Sequence, residues 1–104
     1  MIQKMTRSGF TEIEGKIVEV RSGEKQIRRG YTYGYMSIRV LVGYEYYSVL
    51  VDTSKLNQYG FLPRVGQYIR VEGFLSRPKN GIYDPSITRV TALEHIEPPN
   101  KKSE

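Results

Sequence analysis

The amino-acid sequence predicts a single all-β domain of five strands, with one short helix between the third and the fourth. The chain has 104 residues, enough for one hydrophobic core and too few for two. Apolar and polar residues alternate over short stretches, as in strands that bury one face. Ten glycines and five prolines separate these stretches, and no segment has the apolar period of a long helix.

The first two strands flank a basic segment that is rich in tyrosine. Phe10 to Arg21 predicts strand one, and Gly15 within it indicates a bulge or a sharp bend. Ser22 to Gly34 has no helical pattern and predicts a long loop or an extended hairpin tip. Tyr35 to Val42 alternates most clearly and predicts strand two. The apolar face of this strand, expected to fill the core, consists of Met36, Ile38, Val40 and Val42.

Turn and capping residues delimit the remaining elements. Gly43 predicts the turn after strand two, and Gly73 predicts a bend within strand four. Asn80 followed by glycine is the strongest hairpin signal in the chain. The expected ranges are Tyr44–Asp52 for strand three, Thr53–Gly60 for a capped helical turn or two, Gln67–Arg77 for strand four, Pro78–Gly81 for the hairpin tip and Tyr83–Ile96 for strand five.

Composition limits the classes of function. We expect a domain at residues 10–97 with flexible tails at 1–9 and 98–104. The formal net charge of +5 favours polyanionic partners, and the absence of cysteine excludes disulfides, thiolate nucleophiles and cysteine zinc sites. Since no apolar run reaches the length of a signal peptide or membrane span, we expect a soluble intracellular protein, cytoplasmic or nucleoid-associated, without a membrane partner.

Two glycine-containing segments and the position of the helix carry a family resemblance. Glu14–Val20 reads EGKIVEV, and Val65–Gly73 reads VGQYIRVEG. With a helix after strand three, they resemble the OB-fold, in the branch of single-stranded-DNA-binding proteins and tRNA anticodon-binding domains, over about Phe10 to Glu97. The resemblance implies a Greek-key barrel with a ligand groove across strands two and three. Its walls would be the loops between strands one and two, Ser22–Gly34, and between strands four and five, Arg77–Ile82.

Tyrosines and arginines interleave where this groove is expected. Bases of a single strand stack on aromatic rings, and its phosphates pair with cations. Tyr35 and Tyr46 are expected to point outward and Tyr47 inward, although cross-strand tyrosines and basic loops also occur without any ligand. The predicted nucleic-acid contacts are Arg28, Arg29, Tyr31, Tyr33, Tyr35, Arg39, Tyr44, Tyr46, Arg70, Arg77 and Lys79.

No catalytic residue, metal or cofactor site is predicted. His95 is the single histidine, and no nucleophile motif accompanies it, so we interpret it as a surface residue. Asp52 and Asp84 are interpreted as strand-end or turn residues. Glu12 and Glu14 lie on the same face of strand one, and two acidic side chains placed in this way usually indicate a face exposed to solvent. We therefore expect a binding protein and not an enzyme.

Two functions remain open at this point. The first is binding of single-stranded DNA or RNA, with DNA favoured by analogy with free-standing basic OB domains of replication, recombination and repair. The second is an OB-fold interaction subunit of a larger DNA- or RNA-processing complex, whose tyrosine surface docks a protein partner. A small nuclease is disfavoured because the acidic residues are spread along the chain. The oligomeric state and binding to duplexes are left open.

Overall fold

The structure, a computed structural model, describes residues 9–78 and 84–98, without the side chains of Lys25, Ile27 and Arg28. Nearly all of both predicted tails, and the predicted hairpin tip from Lys79 onward, lie outside the described residues. No helix among the described residues is long and apolar enough to cross a membrane. The elements are β1 (Phe10–Arg28), β2 (Tyr31–Val42), β3 (Glu45–Asp52), a 3₁₀ helix (Thr53–Tyr59), β4 (Tyr68–Ser76) and β5 (Ser86–Ile96).

The five strands close into a barrel in the order β1-β2-β3-β5-β4, with β4 returning to β1. All neighbours are antiparallel except β3 and β5, which run parallel over a short stretch. The predicted all-β class, the count of five strands and the short helix between the third and fourth are confirmed.

An aliphatic core fills the barrel. Buried and more exposed positions alternate along β2, β3 and β4, so that one set of side chains points inward. Each large aliphatic side chain buried in this way contributes about 1.5–3 kcal/mol relative to the exposed state. Tyr47 is only 4% exposed and joins this core, as predicted. Of the predicted inward face of β2, Val42 is half-buried against the core. The other three residues, Met36, Ile38 and Val40, are buried, together with Ile17, Val49, Ile69, Val71 and Ile87.

Gly15 lies where the barrel closes. The first part of β1 pairs with β4 and the rest with β2, and the two ladders overlap at Lys16. A Cβ atom on Gly15 would lie against the carbonyl oxygen of Leu41 and 2.8 Å from Cγ1 of Val40. The glycine therefore permits a backbone approach that no other residue fits. The register shift of β1 lies further along, between Ile17 and Glu19, and not at Gly15 itself, which pairs regularly with Ile69.

A second irregularity joins β4 to β5. Phe74 pairs with Thr88 and Glu72 with Ala92, so three residues of β5 oppose Gly73 alone. A Cβ on Gly73 would come 2.7 Å from the Thr88 carbonyl oxygen. The predicted bend at Gly73 is therefore a bulge of the β4–β5 pair, and the unpaired residues of β5 in this bulge are Arg89, Val90 and Thr91.

The segment between the first two strands is an extended hairpin. Its turn is the pair Arg29 and Gly30, and Gly30 adopts a left-handed backbone with φ of 80°. The sequence offered a loop or an extended hairpin tip, and the structure selects the hairpin. The predicted strand ends at Arg21 and Tyr35 were wrong by several residues, because the polar side chains of residues 22–34 carry no apolar alternation that would reveal a strand.

The 3₁₀ helix is capped at both ends, as predicted. The Asp52 carboxylate accepts a hydrogen bond from the Ser54 backbone N–H at 3.0 Å, and Gly60 ends the helix with φ of 80°. Leu56 and Tyr59 pack from the helix against the core. Other predicted strand ends differ from the observed ones by one to three residues.

Candidate functional site

Strand register arranges the outer face of β1, β2 and β3 in rows. Alternate residues of a strand share a face, so the outward residues of the three paired strands lie side by side. Pairing of β1 with β2 and of β2 with β3 defines each row. The three successive rows are Gly23–Tyr35–Asp52, Arg21–Ser37–Leu50 and Glu19–Arg39–Ser48.

A groove of about 1070 Å³, which we call the tyrosine groove, opens at one end of this face. Its walls come from all of β1, β2, β3, the 3₁₀ helix and β5. Its lining combines rings with cations, which are the groups that contact bases and phosphates respectively. These residues are Tyr33, Tyr35 and Tyr59 among the rings, and Arg21, Lys55 and Arg89 among the cations.

A smaller hollow of about 380 Å³, the arginine pocket, adjoins the groove. Arg21 and Ser37 line both, so the two form one continuous surface. In the arginine pocket Arg39 donates from Nε to the Asp84 carboxylate at 3.0 Å. Its guanidinium also lies 4.1 Å from the centroid of the Tyr46 ring, in cation–π geometry.

The charges of this surface differ in how far they are neutralised. Arg39 pairs with Asp84, and Arg21 pairs with Glu19 at 2.6 Å. By contrast, neither Lys55 nor Arg89 forms a salt bridge with any residue that the structure describes. The charge of Lys55 contributes to the lowered pKa of Asp52 without a direct ion pair, so both cations can still contact an anionic ligand.

Two acidic side chains, Glu24 and Asp52, also line the tyrosine groove. Hydrogen bonds from the Ser54 backbone N–H and hydroxyl lower the pKa of Asp52, so its carboxylate is charged and occupied as the helix cap. Burial is the main cause of a raised pKa at Tyr59, whose hydroxyl therefore stays protonated at neutral pH. The groove thus has mixed charge, with an excess of cations.

The structure brings together part of the predicted contact set. Tyr33 and Tyr35 are half-buried in the tyrosine groove, and Tyr46 contacts Arg39, which lines the arginine pocket. Three others belong to the far end of the hairpin, where Arg29 and Tyr31 are exposed and the side chain of Arg28 is not described. Lys79 lies outside the described residues.

Two predicted contacts, Arg70 and Arg77, are engaged elsewhere by carboxylates. Arg70 bridges Glu12 and Glu94, each at 3.0 Å, and these hydrogen bonds raise its pKa. Arg77 binds Glu45 at 2.9 Å, and its hydrogen bond lowers the pKa of that carboxyl. Neither arginine lines the groove or the pocket.

Tyr44 is likewise separate from the other predicted tyrosines. It belongs to the turn between β2 and β3, is fully exposed, and lines neither the groove nor the pocket. The predicted start of strand three at Tyr44 was wrong by one residue, because the turn takes up both Gly43 and Tyr44.

Four of the rings and cations of the groove are absent from the predicted contacts, namely Arg21, Lys55, Tyr59 and Arg89. Lys55 and Tyr59 lie four residues apart on the short helix, and the sequence did not indicate that they face the groove. Arg89 occupies a bulge that no pattern in β5 announces. Asp84 was interpreted as a turn residue, and its ion pair with Arg39 joins positions 45 residues apart.

The described residues show no metal-ligand cluster. No group of three or more His, Asp or Glu side chains among them is placed to hold a metal ion. His95 is exposed, and its ring stacks on Phe61 with centroids 5.4 Å apart. These observations leave the grooved outer face as the candidate site.

Comparison with known proteins adds no family. No protein-family model matches the chain, and no curated protein matches it in sequence. The molecule is therefore characterised by its own architecture: a closed five-stranded barrel with a ring- and cation-lined groove on its outer face.

Proposed function

We propose that this protein is an OB-type barrel that binds single-stranded nucleic acid across the tyrosine groove and the arginine pocket, and that it is a binding protein and not an enzyme. One observation carries the proposal: tyrosine rings and cations line a single continuous surface on the outer face of β1, β2 and β3. Single strands need both kinds of group, because they expose bases and phosphates together.

Base stacking is supported by the placement of Tyr33 and Tyr35. Two residues apart on β2, they share a face and are separated by about 6.7 Å along the strand. The Tyr35 ring lies across Gly23 of β1, since a Cβ there would come 2.8 Å from the tyrosine hydroxyl. A ring supported by a neighbouring strand has one face covered and can offer the other to a base.

Phosphate contact is supported by the cations beside these rings. Arg21 lies in the row next to Tyr35, and Lys55 faces the same groove from the helix. Single-stranded targets are favoured over duplexes because bases inside a duplex are already stacked on each other and cannot stack on tyrosine. Stacking on a ring tolerates any base, so we propose little sequence preference, and DNA ahead of RNA by analogy alone.

A second candidate function, docking of a protein partner, is favoured by a different surface. Leu62 and Val65, between the 3₁₀ helix and β4, are 52% and 64% exposed. They line neither the groove nor the pocket. The variant Leu62→Ser/Val65→Ser removes this apolar surface and leaves the groove intact. It should therefore weaken docking of a protein partner without weakening nucleic-acid binding.

Fluorescence anisotropy with a labelled thymidine oligonucleotide, an RNA of equal length and a duplex DNA tests the main proposal. We expect the single strands to bind more tightly than the duplex. Log affinity should fall with log salt with a slope of about −2 to −3, since each neutralised phosphate of a single strand contributes about −0.7. Absence of single-strand binding at about 50 mM salt would contradict the proposal.

Removal of an acid from the site is expected to strengthen binding. Asp84→Asn keeps the shape of the side chain but frees Arg39 from its 3.0 Å ion pair. We expect affinity for the thymidine oligonucleotide to rise roughly fivefold at low salt, the equivalent of ~1 kcal/mol between adjacent charges in water.

Glu94→Gln provides the matched control for Asp84→Asn. It removes the same charge and also breaks an ion pair, with Arg70, outside the groove and the pocket. We expect its affinity to stay near that of the wild type. Equal gains in the two variants would show that net charge, and not release of Arg39, governs the effect.

A further inference from the structure

Arg89 has a backbone conformation that side chains rarely adopt. Its φ of 49° lies in the left-handed region, where the Cβ atom crowds the following carbonyl oxygen. It is the single non-glycine residue with positive φ among those that the structure describes. The other described residues with positive φ are all glycines, namely Gly9, Gly30, Gly43, Gly60 and Gly66.

The bulge opposite Gly73 enforces this conformation. Three residues of β5 are accommodated against one residue of β4, which turns Arg89 out of the regular ladder. Glycine at this position would satisfy the backbone without strain. The bulge therefore explains the conformation of the backbone but not the presence of an arginine side chain.

Arg89 is one of the residues that line the tyrosine groove. It is exposed and lies beside Thr88 and Val90 of β5 in the lining of the groove. Lys55 and Tyr59 of the 3₁₀ helix line the same groove. Among the described residues it has no carboxylate partner, and its guanidinium lies 5.3 Å from the centroid of the Phe74 ring. Strained residues of this kind are concentrated at ligand sites.

We propose that Arg89 and Lys55 form a phosphate-binding subsite between β5 and the 3₁₀ helix. This inference rests on the proposed function and extends it: the single strand continues past the three-strand face to the β5 side of the groove. Both cations line this side of the groove without a salt bridge to a described residue, so a phosphate of the single strand can pair with them.

The test compares Arg89→Gly, Arg89→Ala and Arg89→Lys with the same thymidine oligonucleotide. Arg89→Gly is expected to melt no lower than the wild type and above Arg89→Ala, because only glycine relieves the backbone. Both are expected to bind roughly five to ten times more weakly, with a salt slope about 0.7 less steep, as for one lost phosphate contact. Arg89→Lys should retain most of the affinity.

Arg64→Ala is the control, since it removes the same charge from a residue that lines neither the groove nor the pocket. Its affinity should stay close to that of the wild type. If the wild type binds and Arg89→Gly binds equally well with the same slope, the subsite is wrong while the proposed function stands. Failure of the wild type to bind contradicts the proposed function itself. Arg89→Gly melting below Arg89→Ala would overturn the strain argument.

Discussion

Replacement of Tyr33 and Tyr35 together by alanine is expected to weaken single-strand binding by about 30-fold or more. Stacking contributes about 1–3 kcal/mol per base, so two lost platforms remove at least ~2 kcal/mol. Both side chains are half-buried, and neither belongs to the aliphatic core of the barrel. Loss of their cross-strand contacts should cost about 1 kcal/mol of stability, which leaves the barrel folded.

Anisotropy titration measures the effect of this double variant, and two controls define its cause. Tyr44→Ala removes a fully exposed tyrosine that lines neither the groove nor the pocket, and it should bind like the wild type. Tyr33→Phe/Tyr35→Phe keeps both rings and should retain most of the affinity. If the alanine pair binds as well as Tyr44→Ala, stacking in the tyrosine groove is not the basis of binding.

The second large effect concerns stability: Gly15→Ala is expected to destabilise the barrel by about 3 kcal/mol. The added methyl would lie against the Leu41 carbonyl oxygen and within 2.9 Å of side-chain atoms of Val40 and Val42. The backbone on both sides is held by ladders to β4 and β2, so β1 has little freedom to retreat. A loss of this size is a large share of the free energy of unfolding of a domain, which is typically ~5–15 kcal/mol.

Urea unfolding of Gly15→Ala and Gly43→Ala separates crowding from backbone conformation. Gly43 has φ of 63° and nothing within 4 Å of an added Cβ, so alanine there meets only the conformational penalty of about 1 kcal/mol. Gly15 has no such φ, and its penalty is steric. A loss at Gly15 no greater than that at Gly43 would refute the crowding explanation.

Strong local patterns made the fold predictable. Alternation around Ile38 identified the second strand and its inward face, and Gly73 identified the irregular pairing of β4 with β5. Thr53 and Gly60 identified the ends of the helix, and the structure adds Asp52 as its N-terminal cap. These signals act over a few residues, so a single sequence is sufficient to reveal them.

The candidate site was less predictable because charge neutralisation depends on contacts that are distant in sequence. Arg70 and Arg77 resemble Arg39 in sequence, but carboxylates from other strands engage the first two outside the groove. Arg39 also has a carboxylate partner, yet it remains in the arginine pocket beside Tyr46. Lys55 enters the groove only because the helix packs beside β2, β3 and β5.

The length of β1 leaves part of its backbone without a second neighbour. From Glu19 to Arg28, β1 pairs with β2 on one side, and no other described strand pairs with it there. Open strand edges of this kind can recruit a strand from another copy, and charged side chains oppose such pairing. Glu19, Arg21 and Glu24 occupy this edge. Neutralising Arg21 therefore alters the tendency of the chain to self-associate as well as its affinity for an anionic ligand.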